Sequence, residues 1–208
     1  MRLPDEFCTG TLFDEAIVPS FVGRRRIRPG GTREMNMEGP DGHRLRRQQL
    51  DAAFERIKVR FDERNRECGL ICKHGFYKAC SVLKLQKSSW TNDPMDRVQN
   101  KSGIFFSIWM TQASMRKNRA NYNIHALKLR QLAGYSIASR DFANDFRRGF
   151  ASMLNVWPNA SVNYGPLTLM QGWIEVDSNS FEKEALPLME RFRDLSSLID
   201  RLLESRRR

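Results

Sequence analysis

Apolar and polar positions alternate along this chain in runs short enough to be read element by element. The densest apolar run is Gly103 to Thr111, Gly-Ile-Phe-Phe-Ser-Ile-Trp-Met-Thr. At period two its faces are Ile104/Phe106/Ile108/Met110 and Phe105/Ser107/Trp109/Thr111, and both are largely apolar. A strand apolar on both sides needs cover on both, so it is expected inside a sheet rather than at its edge.

Upstream, Leu50, Phe54, Ile57 and Phe61 share one helical face. The spacing predicts a helix from about Arg44 to Cys68 or beyond, with Gly75 as its stop. A strand is expected over Phe76 to Lys87, where Ala79, Ser81, Leu83 and Leu85 alternate with Cys80, Val82, Lys84 and Gln86. Ser88 to Ser102 is polar and holds the turn signal Asn92-Asp93-Pro94. Met115 to Ala120 reads as a basic loop. Tyr122 to Leu132 fits either period, with His125, Leu127 and Leu129 alternating but Tyr122, Ala126, Leu129 and Ala133 aligned on a helix. The helix is the weakly preferred reading. Ser139 or Asp141 can cap a helix whose apolar face is Phe142, Phe146, Phe150 and Met153. Leu167 to Val176 is expected to be a strand, and Gly172 within it suggests a bulge or a close backbone approach. A final helix begins near Ser180 and carries Ala185, Leu188, Met189, Phe192, Leu195, Ile199 and Leu202 on its apolar stripe.

This order predicts an α+β fold: a small, mostly antiparallel sheet covered by amphipathic helices, with a long C-terminal helix. Residues 44–208 form one expected domain. Residues 1–43 read as a flexible tail, because Arg24-Arg25-Arg26-Ile27-Arg28 is followed by the breaker Pro29-Gly30-Gly31. The arginine run is either an arm for phosphates or a tail without a partner. A further reading takes Met35 or Met37 as the natural start, with residues 1–34 a translated leader.

One helix, then Gly75-Phe76, then a strand ending Leu85-Gln86-Lys87-Ser88, then an apolar strand resembles the start of a bacterial domain-of-unknown-function family, number 4304 in the usual naming. The resemblance spans roughly residues 50–180. The segment between Gln86 and Gly103 and the basic Met115–Arg130 stretch depart from the family's pattern. It implies a small α+β fold and transfers no catalytic residues.

The 208 residues suffice for a sizeable core, and mean hydropathy is −0.57. No apolar window approaches the roughly 18 residues that span a bilayer. Asp14-Glu15 interrupts the only candidate signal segment, and four cysteines are too few for a disulfide scaffold. A cytoplasmic protein without a membrane partner is therefore expected. The formal net charge is +11, and residues 77–150 concentrate it, with 13 Lys and Arg against 4 Asp and Glu. Such a concentration points to an acidic partner, either nucleic acid or an acidic protein face.

Candidate chemistry is sparse. Cys68, Cys72, His74 and Cys80 are the nearest approach to a zinc set, but C-x3-C-x-H-x5-C is not a common zinc spacing, and core cysteines are the simpler reading. No metal or other cofactor is assigned. The histidines His43, His74 and His125 sit in no nucleophile motif. Asp93, Asp96, Glu175 and Asp177 could serve a metal-dependent hydrolase, a minor alternative without a lysine close after Glu175. Cations mixed with aromatic rings are better represented. Lys84, Lys87, Lys101, Arg116, Lys117, Arg119, Lys128 and Arg130 are the candidate nucleic-acid contacts, with Trp90, Trp109 and Tyr122 among them. The expected role is that of a bacterial-style binding protein rather than an enzyme, with an immunity-like protein-partner module as the alternative.

Overall fold

The computed structural model describes residues 40–208 except 78–79, 96–97, 99–101 and 177–179, with side chains from residue 48 onward. Residues 1–39 of the expected tail, with the arginine run, thus lie outside the described residues. The element order is α1 (Pro40–Arg64), β1 (Leu70–Tyr77), β2 (Cys80–Lys87), β3 (Gly103–Thr111), α2 (Gln112–Arg116), β4 (Arg119–Leu127), α3 (Ser139–Phe150), β5 (Thr168–Glu175) and α4 (Phe181–Glu204). The strands form one antiparallel meander in the order β1-β2-β3-β4-β5. The expected α+β fold is the observed one, and Gly103–Thr111 is its central strand.

The sheet's two faces differ. Cys72, Leu83, Leu85, Ile104, Phe106, Ile108, Tyr122, Ile124, Met170 and Ile174 point to one side and merge with α1, α3 and α4 into a continuous apolar core. Phe106 is its hub: its ring stacks on Phe192 of α4 at 4.4 Å and meets Trp157 and Tyr122 at 6.3 Å. Burial raises the Tyr122 phenol above its ordinary pKa, and its hydroxyl donates to the Pro158 carbonyl. α3 and α4 approach closely at Gly149, where an added Cβ would stand 2.7 Å from Leu198. Trp90 Nε1 and Lys87 Nζ both donate to Asp200 of α4, at 2.8 and 2.6 Å, and so tie the end of β2 to that helix. Gly103 has φ +121°, and a Cβ there would lie 2.3 Å from the Trp90 carbonyl oxygen. The entry to the central strand therefore requires glycine on two counts.

Two expected elements are corrected. The first helix stops at Arg64 rather than near Cys68 or Gly75. The Asn65 amide donates to the Phe61 carbonyl at 2.9 Å, and Gly69 takes the left-handed conformation at φ +69°. The next eight residues are β1, whose Leu70 and Cys72 fill the core while His74 turns to Glu55 of α1. The Tyr122–Leu132 segment is not a helix. Residues Arg119–Leu127 are a strand paired on both sides, and the basic Met115–Ala120 loop resolves into the end of α2, a turn and the start of β4. Gly172 marks a close approach, with a Cβ there lying 2.4 Å from Tyr122 Oη; the irregularity falls instead on β4, between Ile124 and His125.

Candidate functional site

The other face of the sheet carries the polar chemistry. The registers align Lys73, Lys84, Ser107, Asn123 and Gln171 as one row crossing all five strands. On one side runs the row Val82, Trp109, Asn121, Trp173; on the other, Phe105, His125, Thr168, where the Gln86 amide donates to the Ile104 carbonyl at 3.0 Å. The middle of this face is deeply buried although polar: Lys84 is 1 % exposed, and Ser107, Asn123, His125 and Gln86 are buried with it.

Buried polar groups demand hydrogen bonds, and the row supplies them in a chain. Ser107 Oγ donates to Asn123 Oδ1 at 2.5 Å, and Asn123 Nδ2 lies 3.1 Å from His125 Nε2. Nδ1 of His125 faces the Leu167 carbonyl and Thr168 Oγ1, each at 3.2 Å. With the amide donating to Nε2, the imidazole carries its proton on Nδ1, facing those two acceptors. The Lys84 ammonium lies 5.1 Å from the Phe105 ring centroid, and that ring lies 5.3 Å from His125. Lys73 donates to the Pro94 carbonyl at 2.6 Å.

Toward the β3–β4 turn the same face opens to solvent. Thr111 and Ser114 form a reciprocal capping box that fixes the short α2. Asn118, left-handed at φ 52°, then turns the chain into β4, and its carbonyl accepts from the Val176 amide at 2.8 Å. This rigid corner presents Arg116 and Lys117, both exposed, and Arg119. The Arg119 guanidinium lies over the Trp173 ring at 3.8 Å from its centroid. Glu175 stands in register with Arg119 but makes no ion pair among the described residues. Asn159 Nδ2 donates to the Trp173 carbonyl at 3.1 Å and steadies β5 at this point.

The eight candidate cations therefore do not form one surface. Arg116, Lys117 and Arg119 cluster at the β3–β4 corner. Lys128 and Arg130 are exposed beyond the far end of β4, about 30 Å away at strand rise. Lys84 is buried in the polar row. Lys87 is on the helical side, held by Asp200 and 5.7 Å from the Trp90 ring centroid. Lys101 lies outside the described residues.

Trp173, Asn121 and Gln171 were absent from the sequence-derived set of candidate contacts. Nothing local marks them, since only strand register brings them beside Arg119. The cysteines are separated: Cys72 is in the core, Cys80 on the opposite face, and Cys68 in the turn before β1. Burial raises the Cys72 thiol far above its ordinary range, which leaves it protonated. Among the described residues no three His, Cys, Asp or Glu side chains converge on a metal position, and Asp96 and Asp177 lie outside them. Likewise no helix is long and apolar enough to cross a membrane. No family model, curated protein or solved structure matches the chain.

Proposed function

We propose that this protein binds nucleic acid through the β3–β4 corner formed by Arg116, Lys117, Arg119 and Trp173. The observation that supports this most directly is the Arg119 guanidinium lying over the Trp173 indole at the corner that also carries the exposed Arg116 and Lys117. Stacking orients the guanidinium while leaving its N–H edge free for phosphate oxygens. None of the three cations is engaged by a carboxylate among the described residues, which distinguishes them from Lys87. Three such contacts suit a modest, salt-sensitive affinity rather than a deep specific site.

The test is binding of a mixed-sequence oligonucleotide across a salt series. Binding should weaken steeply with salt. The triple charge reversal Arg116→Glu/Lys117→Glu/Arg119→Glu should abolish it, and each single Arg→Ala or Lys→Ala change should lower the log–log salt slope by about 1. Loss of Glu175, the one acid in register with this cluster, should tighten binding, so Glu175→Gln is the matching gain-of-affinity variant. Salt-independent binding, or recovery of one acidic protein from nuclease-treated lysate with no oligonucleotide binding, would replace this reading with the protein-partner one.

A further inference from the structure

Resting on that reading, we infer that the corner accepts a single strand and that the adjoining sheet face receives one unpaired base. Asn121 lies between Trp109 and Trp173 in register, on the same face. It is half-buried, and its amide makes no side-chain hydrogen bond among the described residues. Gln171, two residues before Trp173 and on the same face, bonds to Ser161 through its main chain, and its side-chain amide makes no hydrogen bond among the described residues. Asn123, in the same row as Gln171 but one strand further into the sheet, is the contrast: both ends of its amide are taken, by Ser107 and His125. The open amides thus occur where the face meets solvent, beside the stacked Arg119–Trp173 pair.

This combination matches a nucleobase in three respects. The guanidinium plane over the indole is a flat surface on which a base can add as a further layer. Asn and Gln amides each place a donor beside an acceptor, which is the pattern of a base edge. The three cations at the corner neutralise the phosphates on either side. A duplex keeps its base faces stacked and its pairing edges occupied, so it can use only the cations. An unpaired nucleotide can use all three features.

The experiment compares the full chain with three fluorescein-labelled ligands of equal length: single-stranded DNA, single-stranded RNA and duplex DNA. Both single strands should bind at least about 5-fold tighter than duplex, because stacking is worth about 1–3 kcal/mol per base, or roughly 5- to 150-fold. Trp173→Ala should lower single-strand affinity by a clearly larger factor than duplex affinity, since the duplex loses only the orientation of Arg119. Gln171→Ala, which truncates a half-buried side chain outside the apolar core without changing charge, should weaken the single strands more than the duplex and covers the case in which Trp173→Ala fails to fold. Equal affinity for single strand and duplex, or equal losses for both ligands in the variants, overturns the base-receiving role. If the charge-reversal triple still abolishes binding in that case, the nucleic-acid reading stands without it. If no ligand binds the wild type, both fall.

Discussion

Phe105 and Phe106 are neighbours in sequence, 3 % and 1 % exposed, and on opposite sides of one strand. Phe106 meets the rings of Phe192, Trp157 and Tyr122, whereas Phe105 meets an ammonium and an imidazole. Equal burial therefore conceals two environments. The helical face is an oil-like core whose cohesion is nondirectional, and the other is a polar layer held by specific hydrogen bonds. An apolar core tolerates no large void, whereas a polar layer tolerates no missing partner. The surface proposed to bind adjoins the second kind of environment, at a margin where the Asn121 and Gln171 amides make no side-chain hydrogen bond among the described residues.

The largest expected effect tests the first half of that contrast. Phe106→Ala removes the hub of the helical core and should cost about 3–5 kcal/mol, the loss of transfer energy plus a cavity that its packed neighbours cannot close. Phe105→Ala should cost less, about 1.5–3 kcal/mol, close to the transfer contribution alone. Its polar neighbours can hold a water in the vacated space, which Phe192, Trp157 and Tyr122 cannot. Urea unfolding of both variants measures the gap. Equal costs would mean that the two faces are energetically alike after all.

The same contrast governs how much could be read from sequence. β3, α3 and α4 were legible because their apolar periods are strong and face a dry core, as Phe142, Phe146 and Phe150 show. β4 was not, because Asn121, Asn123 and His125 occupy positions where a buried strand is expected to be apolar. The burial of Asn123 and His125 is stabilised by Ser107 on β3 and the Leu167 carbonyl before β5, which no local window contains. β1 was missed for a related reason: Lys73-His74-Gly75 breaks the alternation, and the glycine looks like a helix stop. The corner was half legible. Charge alone singled out Arg116, Lys117 and Arg119, but their meeting with Trp173 follows from the β4–β5 register, and register is a property of the whole sheet.

An intermediate effect probes the polar layer directly. Ser107→Ala deletes one hydroxyl with almost no change of volume, so cavity formation is negligible. It leaves the Asn123 carbonyl oxygen buried without its donor and should cost about 1–3 kcal/mol. The same change at the exposed Ser197 of α4, whose hydroxyl bonds only to the Asp194 carbonyl, should stay within about 0.5 kcal/mol. A negligible cost at Ser107 would show that the face is merely covered rather than held together by its hydrogen bonds.

The smallest effect concerns charge placed at the rim of the helical layer instead of inside the polar one. Asp145 of α3 accepts from Arg206 and from Arg148, and the Arg206 guanidinium also lies 5.5 Å from the Phe142 ring centroid. The hydrogen bond from Arg206, followed by the nearby Arg148 charge, holds the Asp145 carboxyl below the usual carboxylate range. A depressed folded pKa means that the unfolded chain binds the proton more readily. The pair therefore stabilises the fold above about pH 4, and its contribution is lost as pH falls through the lower folded value. Asp145→Asn should lower Tm slightly at pH 7, with the gap from wild type closing in acid. Water screens this pair, and the backbone also fixes the segment through Ser136 N to Arg206 O and Arg208 N to Gly134 O. If Asp145→Asn proved as costly as Ser107→Ala, the rim would be as dependent on specific polar partners as the buried row, and the distinction between the two faces would lose its electrostatic half.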